Sequence, residues 1–208
     1  MFNILLDAPP TEFEGYPINS DFRIGIQITQ AMSDEDLNSQ ERTYVCCYLL
    51  FGQSDETEEE KFPPADVMVR GINWFLTGWI TDNHKQDKNK KNEIPVMDMD
   101  IDQWRIYSAF LFQYGINLNR TKLHYWEFMG LLTTLDECAF TRVVDIRSKK
   151  LTDKMSPEMR KLYTEQKSIY SLKEKYEHET AEEKAEREQN DAVFMEKLRK
   201  NKQRKKKQ

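Results

Sequence analysis

Tryptophan and charge occupy different parts of this chain. All four tryptophans lie between Trp74 and Trp126, whereas the segment from Lys173 to Gln208 has no tryptophan, proline or glycine and is dominated by charge. Overall 38% of the residues are hydrophobic and 32% are charged, against roughly 45–50% and roughly 25% in average globular chains. Aromatic residues still make up 12%, which is too many for a disordered protein. This segregation predicts a compact body over residues 1–172 and a charged tail over residues 173–208.

The charges themselves are unevenly spread. Residues 1–63 hold thirteen acids and three bases, whereas residues 197–208 hold eight bases and no acid, within an overall balance of −5. The basic end is suited to contact phosphate groups, but it carries no aromatic side chain on which a base would stack, and the body is acidic. Nucleic-acid binding is therefore disfavoured and is kept only as an alternative.

Cysteine and hydropathy patterns indicate a soluble protein of a reducing compartment. Cys46, Cys47 and Cys138 are odd in number and form no CxxC pair, which is typical of buried, reduced thiols in a cytosolic protein. The apolar start of the chain meets Asp7 and two prolines at once, unlike a signal peptide. No apolar run approaches the roughly 20 residues of a membrane span.

The first third of the chain predicts a hairpin and two helices. The stretch TEFEGYPI alternates polar and apolar residues around Gly15, which predicts a tight β-hairpin. The apolar spacing of the next stretch fits a helix or a strand, but a cap at Asn19 or Ser20 with Asp21 in the first turn favours the helix. A second helix is predicted over residues 36–51, ended by Gly52.

The remaining body predicts five more helices, all recognised from their starts. Prolines or polar residues precede apolar, helix-spaced runs at five positions, namely Pro64, Asp102, Thr121, Asp136 and Ser156. The run after Asp102 is apolar nearly all round and should end at Gly115. At the last start, Pro157 occupies the first helical position, where its missing N–H costs nothing.

The last predicted helix carries a thin apolar seam and leads into the tail. Its seam residues follow a 4–3–7–7 spacing: Met155, Met159, Leu162, Ile169 and Tyr176. Such a seam suits packing on the body or on a partner. Beyond it, good helix formers and Glu/Lys pairs predict a long charged C-terminal helix that frays into the basic end.

The clearest candidate for chemistry is His124-x-x-Glu127, which has the spacing of a Glu-x-x-His metal motif read in reverse. A di-iron site needs a second such pair and two further glutamates, and the other histidines, His84 and His178, lie in charged segments without one. We therefore expect His124 to close the edge of the core with its imidazole hydrogen-bonded, and Glu127 to face solvent or to pair with Lys122 or Arg120.

Catalytic signatures do not appear in the sequence. It has no nucleophile elbow, P-loop, GxGxxG or HExxH, and its acidic stretch Asp55–Glu60 lacks the alternation and central glycine of a calcium loop. We predict no catalytic residue, no metal and no cofactor. The residues alone indicate a mainly α, non-enzymatic interaction protein: a compact multi-helix domain with a small N-terminal β-hairpin.

Several stretches together resemble the bacteriophage gene-product-fifteen family, which is encoded in the tail-gene clusters of long-tailed phages. They are YPINSDFRIGIQI (residues 16–28), MDMDIDQWRIYSAFLFQYGINL (97–118) and LHYWEFMGLLTTL (123–135), followed by VVDIRSKKL (143–151) and the helix KMSPEMRKLY. The resemblance runs from about Leu6 to Leu172. It covers the predicted body and leaves out the charged tail.

The resemblance implies a function in tail morphogenesis. Proteins encoded between the major tail protein and the tape-measure protein resemble tail assembly chaperones. Such chaperones bind the long, aggregation-prone tape-measure protein in the host bacterial cytoplasm until tail-tube subunits polymerise around it. It implies the tape-measure protein and a companion assembly chaperone as partners, and no membrane. A structural protein of the tail or of the head–tail junction is the first alternative, and a nucleic-acid-binding accessory protein is the second.

For such a chaperone the aromatic helices are the predicted binding region. We expect an apolar groove lined by seven residues: Trp74, Phe75, Trp79, Trp104, Tyr107, Phe110 and Tyr114. These helices hold more large apolar residues than one small core needs, and exposed apolar surface usually marks a partner site. Association of the protein with itself also remains open.

Overall fold

The computed structural model describes residues 2–52, 62–80 and 95–173. Within these ranges the protein is mainly helical, as predicted, with one hairpin and seven α-helices. In chain order they are β1 (Glu12–Phe13), β2 (Tyr16–Pro17), α1 (Phe22–Ser33), α2 (Ser39–Phe51), α3 (Ala65–Thr77), α4 (Gln103–Ala109, continued by the π-helical turn Phe110–Tyr114), α5 (Tyr125–Thr133), α6 (Ala139–Ser148) and α7 (Pro157–Ile169). The charged helix predicted for the tail lies outside the described residues.

The hairpin forms around Gly15 as the sequence predicts. Its two central residues both have positive φ, 49° at Glu14 and 82° at Gly15, which is the conformation of the tight turns that match strand twist. Phe13 pairs with Tyr16 across the strands, and the Phe13 ring packs against Trp74 of α3 with ring centroids 4.8 Å apart. This contact holds the hairpin on α3.

The described residues form two compact units. The first unit comprises residues 2–52, 62–80 and 122–130, and the second comprises residues 95–121 and 131–173. The core of the first is built mainly from the apolar faces of α1, α2 and α3 and the start of α5; its buried residues include Phe22, Ile28, Leu50, Phe51, Ile72, Phe75, Trp126 and Phe128. The second buries a smaller set, which includes Ile106, Ala109, Phe110, Leu132, Phe140, Val143 and Leu172.

Two predicted helix starts are wrong, and one long-range contact explains both. Asp21 is itself the cap of α1, because its side chain accepts a hydrogen bond from the Arg23 N–H, and α5 begins at Tyr125 instead of Thr121. Residues just before α5 form an antiparallel bridge between Asp21 and His124, in which the Phe22 N–H donates to the Leu123 carbonyl at 2.9 Å. The Leu123 carbonyl, and the Ser20 carbonyl that accepts from the Tyr125 N–H, are thereby bonded outside the helices, and α1 and α5 begin at Phe22 and Tyr125.

The start of α2 is corrected by a capping box. Asn38 accepts hydrogen bonds from the N–H groups of Gln40 and Glu41, and the Glu41 carboxylate accepts one from the Asn38 N–H, so α2 begins at Ser39 and not at residue 36. α6 likewise begins three residues after Asp136, at Ala139.

Three helix boundaries are as predicted. α2 ends at Gly52. The π-helical turn that continues α4 ends at Gly115, which has the left-handed φ of 68° that glycine tolerates best. α7 is capped by Ser156, whose hydroxyl accepts a hydrogen bond from the Met159 N–H, with Pro157 at its first position. Each boundary depends on residues adjacent in the sequence.

Candidate partner-binding surface

The seven aromatic residues of the predicted groove lie in different settings. Three belong to the first unit, namely Trp74, Phe75 and Trp79, and four to the second, namely Trp104, Tyr107, Phe110 and Tyr114. Phe75 and Phe110 have no exposed surface, so we correct their assignment from groove lining to core. Trp104 is 75% exposed, and the other four side chains are partly buried.

The aromatic residues of α3 and of the turn that follows it are engaged within their own unit. The Trp74 ring meets the edge of Trp126 at 5.0 Å between centroids. The Trp126 indole N–H donates to the Phe75 carbonyl at 2.7 Å, and that of Trp79 donates to the Leu76 carbonyl at 2.9 Å. Buried tryptophans usually satisfy their N–H in this way, which is the behaviour of core residues.

In contrast, α4 and its π-helical turn present large apolar side chains to solvent. Phe112 is 86% exposed, and it is accompanied by three further exposed residues, Ile101, Trp104 and Leu111. Trp104 and Leu111 are seven positions apart, Phe112 follows Leu111 in the π-helical turn, and Ile101 lies in the turn that leads into α4. We call these four residues the α4 stripe. Tyr107 borders the stripe, with its ring edge-to-face to Trp104 at 6.0 Å between centroids.

Sequence reasoning missed three of the four stripe residues. Ile101, Leu111 and Phe112 lie in a run that is apolar nearly all round, so its spacing does not reveal which face the core covers. The π-helical turn adds to the difficulty, because it inserts an extra residue and shifts the phase of Phe112 relative to Trp104. The sequence signal that pointed to an exposed face was the excess of large apolar residues in this run.

A buried ion pair fixes the inner side of α4. The fully buried Asp102 carboxylate receives two bonds from the Arg147 guanidinium of α6, at 2.5 and 3.2 Å, and one from Arg105 at 2.9 Å. Arg147 also donates through Nε to the Tyr170 carbonyl at 2.7 Å, just beyond α7. Paired and hydrogen-bonded on all sides, these charges hold α4, α6 and the end of α7 in one arrangement.

The acidic residues that precede α4 also have local partners. The Asp98 carboxylate accepts hydrogen bonds from the N–H groups of Asp100 and Ile101, at 2.9 and 2.8 Å, and the Asp98 N–H donates to Asp102 at 3.1 Å. These bonds shape the turn that leads into α4 and thereby place Ile101 at the edge of the stripe.

His124 and Glu127 cap α5. The His124 Nδ1 accepts a hydrogen bond from the Trp126 N–H at 3.0 Å, and the Glu127 carboxylate accepts one from the His124 N–H at 3.0 Å. Because Nδ1 is an acceptor, the neutral ring carries its proton on Nε2, which donates to the Pro10 carbonyl at 2.9 Å. The predicted satisfied imidazole is confirmed. Glu127 was predicted to face solvent or to pair with Lys122 or Arg120; it is half-buried, and its carboxylate binds this backbone N–H.

Burial changes the acid–base behaviour of several groups in the first unit. It lowers the pKa of His124 below its ordinary value of 6.5, with the Pro10 hydrogen bond opposing the shift. It raises the pKa of Cys46 and Cys47 to about 11, so both thiols stay protonated at neutral pH. Cys46 and Cys47 are free and buried, as predicted, and Cys138 is free and half-buried.

Among residues 2–52, 62–80 and 95–173, no group of three or more His, Cys, Asp and Glu side chains is placed to hold a metal ion. Over the same residues, no helix combines the length and the apolar character needed to cross a membrane.

Fold and surface thus define a mainly helical protein with an ion-paired second unit and an exposed apolar helix face. Within that class the chain belongs to the bacteriophage Gp15 protein family, whose model matches residues 5–172. This confirms the resemblance over its full extent. It is a phage structural or assembly protein. No curated protein and no solved structure matches the chain.

Proposed function

We propose that this protein is a non-catalytic tail assembly chaperone, which binds the tape-measure protein in the host cytoplasm. The observation that carries the proposal is the α4 stripe, in which Trp104 is 75% and Phe112 86% exposed. Family membership supports a role in building the phage particle. The stripe supports one particular way of doing it, which is to cover apolar surface on another protein.

The chemistry of the stripe suits an apolar helical segment. Exposed apolar patches on folded proteins commonly mark partner surfaces, and an amphipathic helix lays its apolar face against such a surface. Trp104 and Phe112 supply large rings of the kind that dominate binding energy at protein interfaces. A long tape-measure protein whose apolar seams are not yet enclosed by the tail tube would present complementary segments.

The Asp102–Arg147 ion pair supports the same proposal from the inner side of the helix. A surface held in one arrangement before binding loses less conformational freedom when the partner arrives. Since the ion pair is buried behind α4, it stabilises the stripe without occupying it.

Calorimetric titration of the full chain with overlapping tape-measure fragments tests the proposal. We expect binding of at least one fragment that persists at moderate salt, because apolar burial is not screened as charge pairs are. Trp104→Ser/Phe112→Ser should weaken that binding at least about tenfold, in line with the loss of two interface rings. Tyr44→Ser/Tyr48→Ser is the matched control, since it removes two exposed aromatic rings from α2 and should bind normally.

Two results would overturn the proposal. One is the absence of affinity for any fragment, together with tight, salt-sensitive binding of duplex or single-stranded nucleic acid in a parallel titration. The other is an equal loss of affinity in the α2 control, which would show that the stripe is not the specific binding surface. Mass spectrometry of purified particles separates the chaperone from a tail or head–tail junction component, because only a structural component is retained at many copies.

A further inference from the structure

The N-terminal segment displays three consecutive aliphatic side chains on a closed turn. Leu5 and Leu6 are 86% and 82% exposed, and Ile4 is exposed beside them. The turn is closed from both ends, because the Asn3 carbonyl accepts from the Leu6 and Asp7 N–H groups, and the Asp7 carboxylate accepts from the Asn3 N–H at 3.0 Å. We call Ile4, Leu5 and Leu6 the N-terminal knob.

Contacts on both flanks attach the knob to the first unit. On one side, the Phe2 ring packs edge-on against Trp126 with centroids 5.0 Å apart. On the other, the Pro10 carbonyl receives the His124 hydrogen bond. The knob is therefore presented in a defined position. Ordering exposed leucines on a folded body brings no burial within the turn itself, which suggests that burial occurs against another surface.

The second unit exposes an apolar face on α7. No residue of α7 is buried; Ile169 is 75% exposed, and Met159 and Leu162 are each about half exposed. Tyr163 and Tyr170, in contrast, face cations of their own unit, at 5.6 Å from Lys149 and 5.7 Å from Arg105. Three residues of the predicted seam thus lie on the open side of this helix, Met155 is half-buried, and Tyr176 lies outside the described residues. We call Met159, Leu162 and Ile169 the α7 face.

The two units carry opposite charge around these surfaces. The described residues of the first unit hold ten Asp and Glu against four Lys and Arg, a formal charge of −6. Residues 148–173, which contain the α7 face, hold seven bases against three acids, a formal charge of +4. Residues 2–22, which contain the knob, hold four acids and no base. An acidic apolar projection and a basic apolar face are complementary in both respects.

We propose that the N-terminal knob of one copy of this protein docks on the α7 face of a second copy. The contact joins two different surfaces, so a pair of copies keeps one free knob and one free α7 face. Head-to-tail contacts of this kind extend into rings or filaments, in contrast to the closed dimer that a self-complementary face produces. The inference does not depend on tape-measure binding, because assembly is measured on the protein alone.

Light scattering coupled to size-exclusion chromatography tests the proposal on the full chain. The wild type should have an average mass above one chain that rises with concentration and falls with added salt, because charge steers this contact. Leu5→Ser/Leu6→Ser and Leu162→Ser/Ile169→Ser should each be monomeric alone. Mixed in equal amounts, they should form a species of two chains and no larger, since each supplies the surface that the other lacks.

Control variants show whether a loss of assembly comes from the loss of this apolar contact or from unfolding. Leu5→Met/Leu6→Met keeps the knob apolar and should assemble as the wild type does, and so should the α2 variant Tyr44→Ser/Tyr48→Ser. Circular dichroism should show unchanged helicity in every variant, since the substituted side chains are exposed. A wild type that is monomeric at all concentrations would overturn the proposal. So would a serine variant that still dimerises alone, or a mixture that does not associate.

Discussion

At the scale of single residues, His124-x-x-Glu127 shows how a motif with metal-ligand spacing serves as structure. The imidazole stands where Ser or Asn usually caps a helix, and the glutamate three positions later completes the reciprocal bond. The sequence predicted a satisfied histidine but not this geometry, because the acceptor for Nε2 is the carbonyl of Pro10, which is remote in sequence. The capping partners themselves are local and were recognisable.

This cap makes stability depend on pH. The pKa of His124 in the folded protein is lower than 6.5, so between that lowered value and 6.5 the unfolded chain binds more protons. The contribution is fully present above about pH 6.5 and is lost as the pH falls towards the folded-state pKa. Protonating Nδ1 also removes the acceptor of the Trp126 N–H.

Thermal melts at a series of pH values test this dependence. From about pH 7 to about pH 5.5, the midpoint of the wild type should fall more than that of His124→Asn, which keeps a capping oxygen but does not titrate. The carboxylates contribute equally to both proteins, so the difference isolates the histidine. Parallel curves for the two proteins would contradict the assignment.

The Asp102–Arg147 ion pair predicts a second effect of a single side chain. Arg147→Met leaves a buried carboxylate short of its main partner and should lower the free energy of unfolding by about 3–5 kcal/mol, as broken buried pairs do. Arg142→Met, also on α6, breaks an exposed pair with Glu137 and should cost about 0–1 kcal/mol. Urea unfolding measures both, and equal losses would show that the buried pair is not central to the second unit.

At the scale of helices, the boundaries divide by the range of the contacts that set them. Gly115 and Pro157 were predictable because each acts through its own backbone geometry, and Gly52 because a Cβ there would meet the Tyr48 carbonyl four residues earlier. The starts of α1 and α5 were not, because the backbone pairing of Asp21 with His124 joins distant parts of the chain. For the same reason the sequence pointed to α4 as an aromatic helix but did not show which of its faces is open.

Close packing of α1 on α5 predicts opposite effects at two helical glycines. A Cβ added at Gly25 would lie 2.1 Å from the Tyr125 ring, which is buried, so Gly25→Ala should destabilise the protein by about 1–3 kcal/mol. A Cβ at Gly130 meets nothing within 4 Å, so Gly130→Ala should stabilise α5 by up to about 1 kcal/mol. Denaturation midpoints that shift in the same direction would contradict this packing.

At the scale of the whole molecule, composition predicted a body that ends near residue 172, and the family match ends there too. The division of the described residues into two units was not readable from the sequence, because the first unit takes residues 122–130 from between two ranges of the second. Only contacts between distant segments define such an arrangement. Opposite formal charges on the two units follow the same division.

Removing the tail should leave the body intact. Leu172 is the last buried residue that the structure describes, and residues 173–208 carry few apolar side chains that would pack on the body. Deletion of residues 173–208 should therefore change the thermal midpoint by only a few degrees, as expected for a segment outside the core. Calorimetry measures this, and a fall of about ten degrees or more would make the tail part of the folded body.

Co-expression with the tape-measure protein is the most direct test of chaperone activity. The measurement is the fraction of tape-measure protein that stays soluble after lysis, alone and with each form of this protein. We expect the wild type and Tyr44→Ser/Tyr48→Ser to raise that fraction equally, and Trp104→Ser/Phe112→Ser to leave it near the level without any chaperone. An unchanged soluble fraction with the wild type, or full activity of the stripe variant, would contradict the account.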